Sequence, residues 1–275
     1  MGRPDGPRDA APGGTRVASL GYHEVTDTPR STGFQRPGAA AFTLTPATFA
    51  DHLARVTTGP CCPALVTGLD LDRPGRHLLL TFDDGGKSAL LVADELSRRG
   101  WRGHFFIVTG RVGNRTFLDW SEVRYLRQCG HVVGSHSHTH PDIFRELSPA
   151  RMREEWRISG SLLAERLGEP CVAASVPGGE ISPAVLQSVA EVGMKFLFTV
   201  EPDLRPHRVG GCWVLGRCLI KNKMPPSRVG ELVQFRGWTR ALAIRRLKAI
   251  ARLSLPLLYR HLVARRVREF DSTHA

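Results

Sequence analysis

No apolar run in this 275-residue chain approaches the roughly eighteen residues that a membrane-spanning helix needs, so no integral span is expected. The N-terminal stretch MGRPDGPRDAAPGGTR has no apolar core of the kind a secretory signal requires. Its glycines and prolines read as a disordered leader over residues 1–15. The six cysteines, Cys61, Cys62, Cys129, Cys171, Cys212 and Cys218, include no CxxC pair. Reduced thiols are therefore expected rather than a zinc knuckle or a disulfide framework. No internal repeat appears. Acidic residues are absent between Arg236 and Arg268, where ten Lys or Arg stand. That segment supplies most of the net charge of +12, from 38 basic and 26 acidic residues.

Apolar residues make up 41% and charged residues 23%, as in a folded soluble domain. The length suits one large single-core domain. A short strand over 16–25 runs into a loop, and PATFADHLARV (46–56) reads as a helix capped by Thr45 with Pro46 in its first turn. HLLLTFDDGG is a fully buried strand ending in two aspartates, and KSALLVADELSRRG is an amphipathic helix closed by a glycine. HFFIVTG (104–110) is a strand, Asp119 with Glu122 opens a helix through Arg127, and HVVG (131–134) is another strand. SPARMREEWRISGSLLAERLG, CVAASV, SPAVLQSVAEVG and FLFTV (196–200) continue the alternation. Repeated strand–helix units predict a parallel sheet with helices outside it, a (β/α) barrel or a distorted version of one.

In such folds the site lies at the carboxyl ends of the strands. Asp83, Asp84, the cluster HSHTH (136–140), the segment VPGGE and Glu201 all fall there. Two aspartates and two or three histidines form a mixed oxygen and nitrogen set suited to Zn²⁺ or a similar divalent ion. Geometry leaves the histidine set open. On a strand His136, His138 and His140 would share a face, whereas in a helical turn only His136 and His140 would. Pro141 disfavours helix at His140 and favours a strand leading into a tight loop. Each part also has a plain structural reading: Asp-Asp-Gly is a common turn, and histidines four apart can decorate a surface.

TFDDG (81–85) together with HSHTH closely resembles the two leading motifs of the polysaccharide deacetylases, the NodB-homology domain of carbohydrate esterase family four. YHEV, the FTLTPATF approach to the first helix, HFFIVTG, GHVVGSHSHTHPD and VPGG fall in the order of that family, over roughly 17–200. The resemblance implies a distorted (β/α) barrel and hydrolysis of N-acetyl, sometimes O-acetyl, groups on sugars. By the same resemblance Asp83 is the general base, and Asp84, His136 and His140 hold a divalent metal, Zn²⁺ first and Co²⁺ as a substitute. His138 becomes a bystander. Pro177, Gly178, Gly179 and Glu201 would line the substrate or the oxyanion.

Two departures stand out. The family's R-x-P motif, whose arginine orients the base, reads Ser175-Val176-Pro177 here. The late Leu-x-His motif that supplies the acid is not evident, with Lys221 in RCLIK near its place. Glu180, Glu201, His207, His104 and His23 are candidate proton donors, with a structural role also expected for His104 and His23. The expected layout is a catalytic domain over 16–225 and a basic helical extension over 226–275. In that extension, 238–255 forms an amphipathic helix broken by Pro256. It either packs on the barrel, as favoured, or lies against an anionic membrane; nucleic acid ranks last for want of a recognition motif. The expected substrate is an acetylated sugar of a polysaccharide or glycolipid precursor, met in the cytoplasm or at the inner face of the membrane. Alternatives are a carbohydrate-binding protein that keeps the metal site without turnover, and a hydrolase of another non-peptide C–N bond.

Overall fold

Leu78, Leu80 and Phe82 alternate with Leu79, Thr81 and Asp83 along HLLLTFD, and this two-residue period fixes what each face meets. The first set packs outward with Leu53, Val92 and Leu96 of the flanking helices, while Leu79 packs inward with Val17, Phe106 and Phe198. Asp83 thus inherits the inward direction. The computed structural model describes residues 14–179, 181–254 and 261.

The elements are β1 (Arg16–Tyr22), β2 (Glu24–Val25), β3 (Thr43–Leu44), α1 (Pro46–Val56), β4 (Arg76–Phe82), α2 (Ala89–Arg98), β5 (His104–Ile107) and α3 (Trp120–Gln128). They continue with β6 (Val132–Ser135), α4 (Pro149–Leu167), β7 (Ala173–Ser175), α5 (Pro183–Glu191) and β8 (Phe196–Phe198). Last come β9 (His207–Val209), β10 (Cys212–Leu215), β11 (Cys218–Leu219), α6 (Pro226–Val233) and α7 (Trp238–Ser254). The helix starts follow their caps. Thr45 accepts from the Thr48 N–H, Ser148 from Arg151 and Ser182 from Val185, and Asp119 with Glu122 forms a capping box.

Nine strands form one sheet in the order β11-β1-β4-β5-β6-β7-β8-β10-β9, parallel throughout except for the β9–β10 hairpin. The edge strand β11 is joined in the chain to β10, next to the opposite edge, by Gly216 and Arg217 alone. Two linking residues span about 10 Å at most, so the sheet must curl back on itself into a distorted barrel. The turn needs glycine at 216, because a Cβ there would lie 2.3 Å from the Glu201 carbonyl oxygen.

Several expectations are adjusted. The strand predicted over 104–110 stops at Ile107 because the chain turns at Thr109–Arg111. The strand over 196–200 stops at Phe198. The β9–β10 hairpin, β11 and α6 were not anticipated. α6 lies just beyond the expected boundary at 225, yet Val229, Leu232 and Val233 pack with Leu53 and Val56 of α1, and Trp238 joins the same core. Further along α7 the apolar side chains emerge, with Leu247 67% exposed. No helix among the described residues is long and apolar enough to cross a membrane. Residues 1–13 of the leader expected over 1–15, Glu180 and Pro256 lie outside the described residues.

Candidate metal and catalytic site

β4, β6 and β7, the first separated from the others by β5, run parallel and end at the same edge of the sheet, and the chain bends sharply as it leaves β4 and β6. Asp84 and Gly85 both have φ of +77°, while Ser137 and His140 have +63° and +56°. Non-glycine residues avoid this left-handed region unless their surroundings compel it. The bend after Asp83 lets adjacent carboxylates diverge.

Asp84, His136 and His140 place one donor atom each within 4.8 Å of one another. The His136 Nε2 lies 3.4 Å and the His140 Nε2 3.8 Å from the Asp84 Oδ1. A tetrahedral centre with ligands about 2.0–2.2 Å away spaces them at roughly 3.3–3.6 Å, so the set suits such an ion. The His136 Nδ1 donates to the Ser175 carbonyl at 3.0 Å, which leaves Nε2 as the lone-pair nitrogen when the ring is neutral. Burial opposes charging His136, but Asp83 and Asp84 outweigh it and raise its pKa. Burial takes the His140 pKa down to about 4. His138 stands outside the set, its Nδ1 3.0 Å from the Thr109 hydroxyl. In the turn after β6 it is His136 and His140 that converge, as the resemblance implied.

Asp83 is buried and held at both carboxylate oxygens. Arg217, itself wholly buried, donates from Nη1 to Oδ1 at 2.8 Å and from Nη2 to Oδ2 at 2.9 Å. Its remaining N–H groups reach the Thr199 carbonyl, the Thr81 hydroxyl and the Ser175 hydroxyl at 3.0, 3.1 and 2.7 Å. All five donors of the guanidinium are thereby used. The Ser175 hydroxyl in turn donates to Asp83 Oδ1 at 3.1 Å. Burial alone would raise the Asp83 carboxyl, but Arg217 and His136 outweigh it and hold it well below the usual carboxylate range.

The missing motif arginine is therefore replaced in space: Ser175 occupies its sequence position and Arg217 its electrostatic one. Sequence reading overlooked Arg217, although a lone charge inside the apolar run CWVLGRCLI is a usable signal of a buried partner. It also overlooked Glu155. This acid sits on the inner face of α4, 1% exposed. It accepts the N–H groups of His138 and Thr139 at 2.9 and 2.7 Å and the Thr139 hydroxyl at 2.8 Å. It thus pins the histidine loop from behind.

The candidate proton donors separate. His104 has both ring nitrogens bonded, to the Leu80 carbonyl and the Val66 N–H, each at 2.9 Å, and is structural. His207 is exposed on β9. Glu201 accepts from Arg245 at 2.9 Å. Glu180 lies outside the described residues. His23 lies against Phe42, with burial lowering its pKa and the charges of Asp84 and Asp83 opposing that fall. In the Pro177–Gly179 turn, proline has no N–H and the Gly179 N–H goes to the Val176 carbonyl. Gly178 is the one amide of the three left to face a ligand.

The profile of the family described as polysaccharide deacetylase matches residues 70–197. The chain carries a polysaccharide deacetylase domain. Asp84, His136 and the Ser175 segment lie within the matched span. The family is one of hydrolases acting on non-peptide C–N bonds. Solved structures share the fold. The Streptococcus pyogenes deacetylase PplD, in complex with acetate, aligns at 18% identity and TM-score 0.67, covering 80% of this chain and 99% of that one. IcaB from Ammonifex degensii aligns at 22% identity and TM-score 0.65, covering 81% and 98%. A de-N-acetylase from Aggregatibacter actinomycetemcomitans aligns at 16% and 0.63, covering 79% and 99%. No curated protein sequence matches the chain. Arg217, the partner of Asp83, lies beyond the matched span.

Proposed function

We propose that the chain is a metal-dependent deacetylase that removes acetyl from the nitrogen of an N-acetylated sugar in a polysaccharide or glycolipid precursor. One observation carries this reading: a carboxylate kept ionised by a buried arginine, Asp83, stands beside the Asp84, His136 and His140 donor set. Asp84, His136 and His140 would hold the ion, Zn²⁺ or Co²⁺. When bound, it would supply polarisation of the acetyl carbonyl and acidify a water, which a base as weak as Asp83 requires.

The chain's own residues do the rest. Arg217 fixes the Asp83 carboxylate and leaves Oδ2 with spare acceptor capacity, which can take the proton of the attacking water. The Gly178 amide, in the turn that follows β7, can donate to the oxygen on which charge develops. Asp83 then holds the proton that the departing nitrogen needs, and its transfer to that nitrogen returns the carboxylate to its starting state. Phe34 packs against the histidine, its ring centroid 4.7 Å from that of His140. The alternative of a binding protein without turnover rested on the absent arginine and the absent late histidine; Arg217 answers the first ground, and the second stands.

The test is acetate release from a panel of N-acetylated oligosaccharides with Zn²⁺ or Co²⁺ added. Release that a chelator abolishes supports the proposal. Tight glycan binding with no acetate would favour the binding-protein reading instead.

A further inference from the structure

A cleft of about 1110 Å³ is bounded by the loop over 37–42, β11, α6 and α7. Its lining includes Gly178 and Arg217, so it is continuous with the site just described. Charged side chains surround it, but most are committed to other groups. Arg217 serves Asp83. Arg245 pairs with Glu201 at 2.9 Å and donates to the Gly179 carbonyl at 2.7 Å. Arg228 pairs with Glu231 and donates to the Gly237 carbonyl at 2.8 Å. Lys221 is held over the Phe42 ring, 5.4 Å from its centroid. Arg240, in the first turn of α7, is exposed. What these pairings leave to a ligand is chiefly the apolar wall of Ala41, Leu219, Met224, Pro225 and Ile244. Ile244 is 43% exposed, and Leu247, three residues further along the same side of α7, extends that surface outward.

The composition of the wall decides between a glycan chain and a hydrocarbon as its occupant. Phe42 is the only aromatic residue among the described lining residues, and its ring already meets Lys221 and His23. Ser227 is the only one with an uncharged hydroxyl or amide side chain. Sugar hydroxyls buried here would give up water for few partners, which costs free energy. A hydrocarbon chain gains by leaving water for the same wall. We propose that the cleft receives the hydrocarbon chain of the substrate, so that the acetylated sugar is one carried on a lipid. The proposal rests on the deacetylase reading above and narrows its substrate class to glycolipids.

The experiment measures acetate release by the full chain with Zn²⁺ from the methyl, butyl and octyl glycosides of N-acetylglucosamine, each below its micelle concentration, and from the N-acetylglucosamine tetramer. Each methylene that the cleft takes up should raise kcat/KM about fourfold, through KM, so the octyl glycoside should exceed the methyl glycoside by about tenfold or more. Sulfate should preserve or strengthen the gain, as it does for apolar burial. In the I244Q/M224Q double variant the octyl-to-methyl ratio should fall toward unity, whereas I244L/M224L should retain it. A smaller gain in the unaltered chain, a tetramer that outperforms the octyl glycoside, or a ratio that survives I244Q/M224Q would overturn the proposal. If no substrate releases acetate, the deacetylase reading fails, and calorimetric binding of the octyl and methyl glycosides decides the cleft. Octyl binding tighter by about tenfold or more supports it, and a smaller difference or no binding refutes it.

Discussion

Arg217 and Asp83 meet through two parallel hydrogen bonds of 2.8 and 2.9 Å across 134 residues of sequence. The pair forms because the sheet closes through Gly216 and Arg217, which brings the guanidinium inside the barrel at the level of the β4 terminus. Both partners are buried, so neither can be removed without leaving the other uncompensated.

Arg217→Ala should therefore cost about 3–5 kcal/mol of stability and lower kcat on the order of 10²-fold. Arg217→Lys, which keeps the charge but not the fork, should fold and lose part of the rate. Because Ser175 occupies the family's arginine position and donates to the same carboxylate, the double variant S175R/R217A should recover activity relative to R217A. Denaturant unfolding and acetate release check both claims. Unchanged kcat in a folded R217K would remove Arg217 from the mechanism.

The histidines should divide cleanly. H136A and H140A should lose stoichiometric zinc, measured by elemental analysis of dialysed protein, whereas H138A should keep it. Metal loss in H138A alone would contradict the geometry, in which the His138 Nδ1 is turned toward Thr109.

Glu155 touches no reacting group but holds two backbone N–H groups of the histidine loop. E155Q should weaken zinc affinity by about 10–100-fold, the usual effect of removing a partner that orients a ligand. Affinity measured by competition with a chromophoric chelator reads this. A change in stability with affinity intact would make Glu155 merely structural.

Glu24 supplies a pH dependence. Its Oε2 accepts the Ser88 and Thr32 hydroxyls while Oε1 is buried without a partner. Burial, only partly offset by those hydroxyls, raises its pKa from 4.5 to about 7. The folded state thus keeps a proton that the unfolded state has already released between these values. The resulting stability is complete below pH 4.5 and is lost as pH rises through about 7. The stability of E24Q relative to the parent should improve by ~3 kcal/mol from about pH 5 to about pH 8. Urea unfolding at both values tests this, and a difference independent of pH would refute it.

Much of this arrangement was legible in the sequence because local chemistry dictates it. Ser148, Asp119, Thr45 and Ser182 each announce a helix start, and each caps one. Asp83, Asp84, His136 and His140 follow apolar runs whose period places them at strand ends. What escaped depends on distant contacts. Ser88 stands at the start of α2, but its hydroxyl serves Glu24 instead of capping the helix. The three- and two-residue strands β9 and β11 carry too little pattern to be read, and Arg217 acquires its partner only through the closure they complete. Glu155 looks like an ordinary helix glutamate until the loop above α4 is folded over it.

The central claim is that one divalent ion at Asp84, His136 and His140 enables Asp83 to act in acetate release. Titrating Zn²⁺ into chelator-treated protein while measuring acetate from an N-acetylated sugar tests it most directly. Activity should rise from zero and level off at one equivalent, and D84A should neither bind the ion nor turn over substrate. Full activity in the metal-free protein, or in D84A, would contradict it.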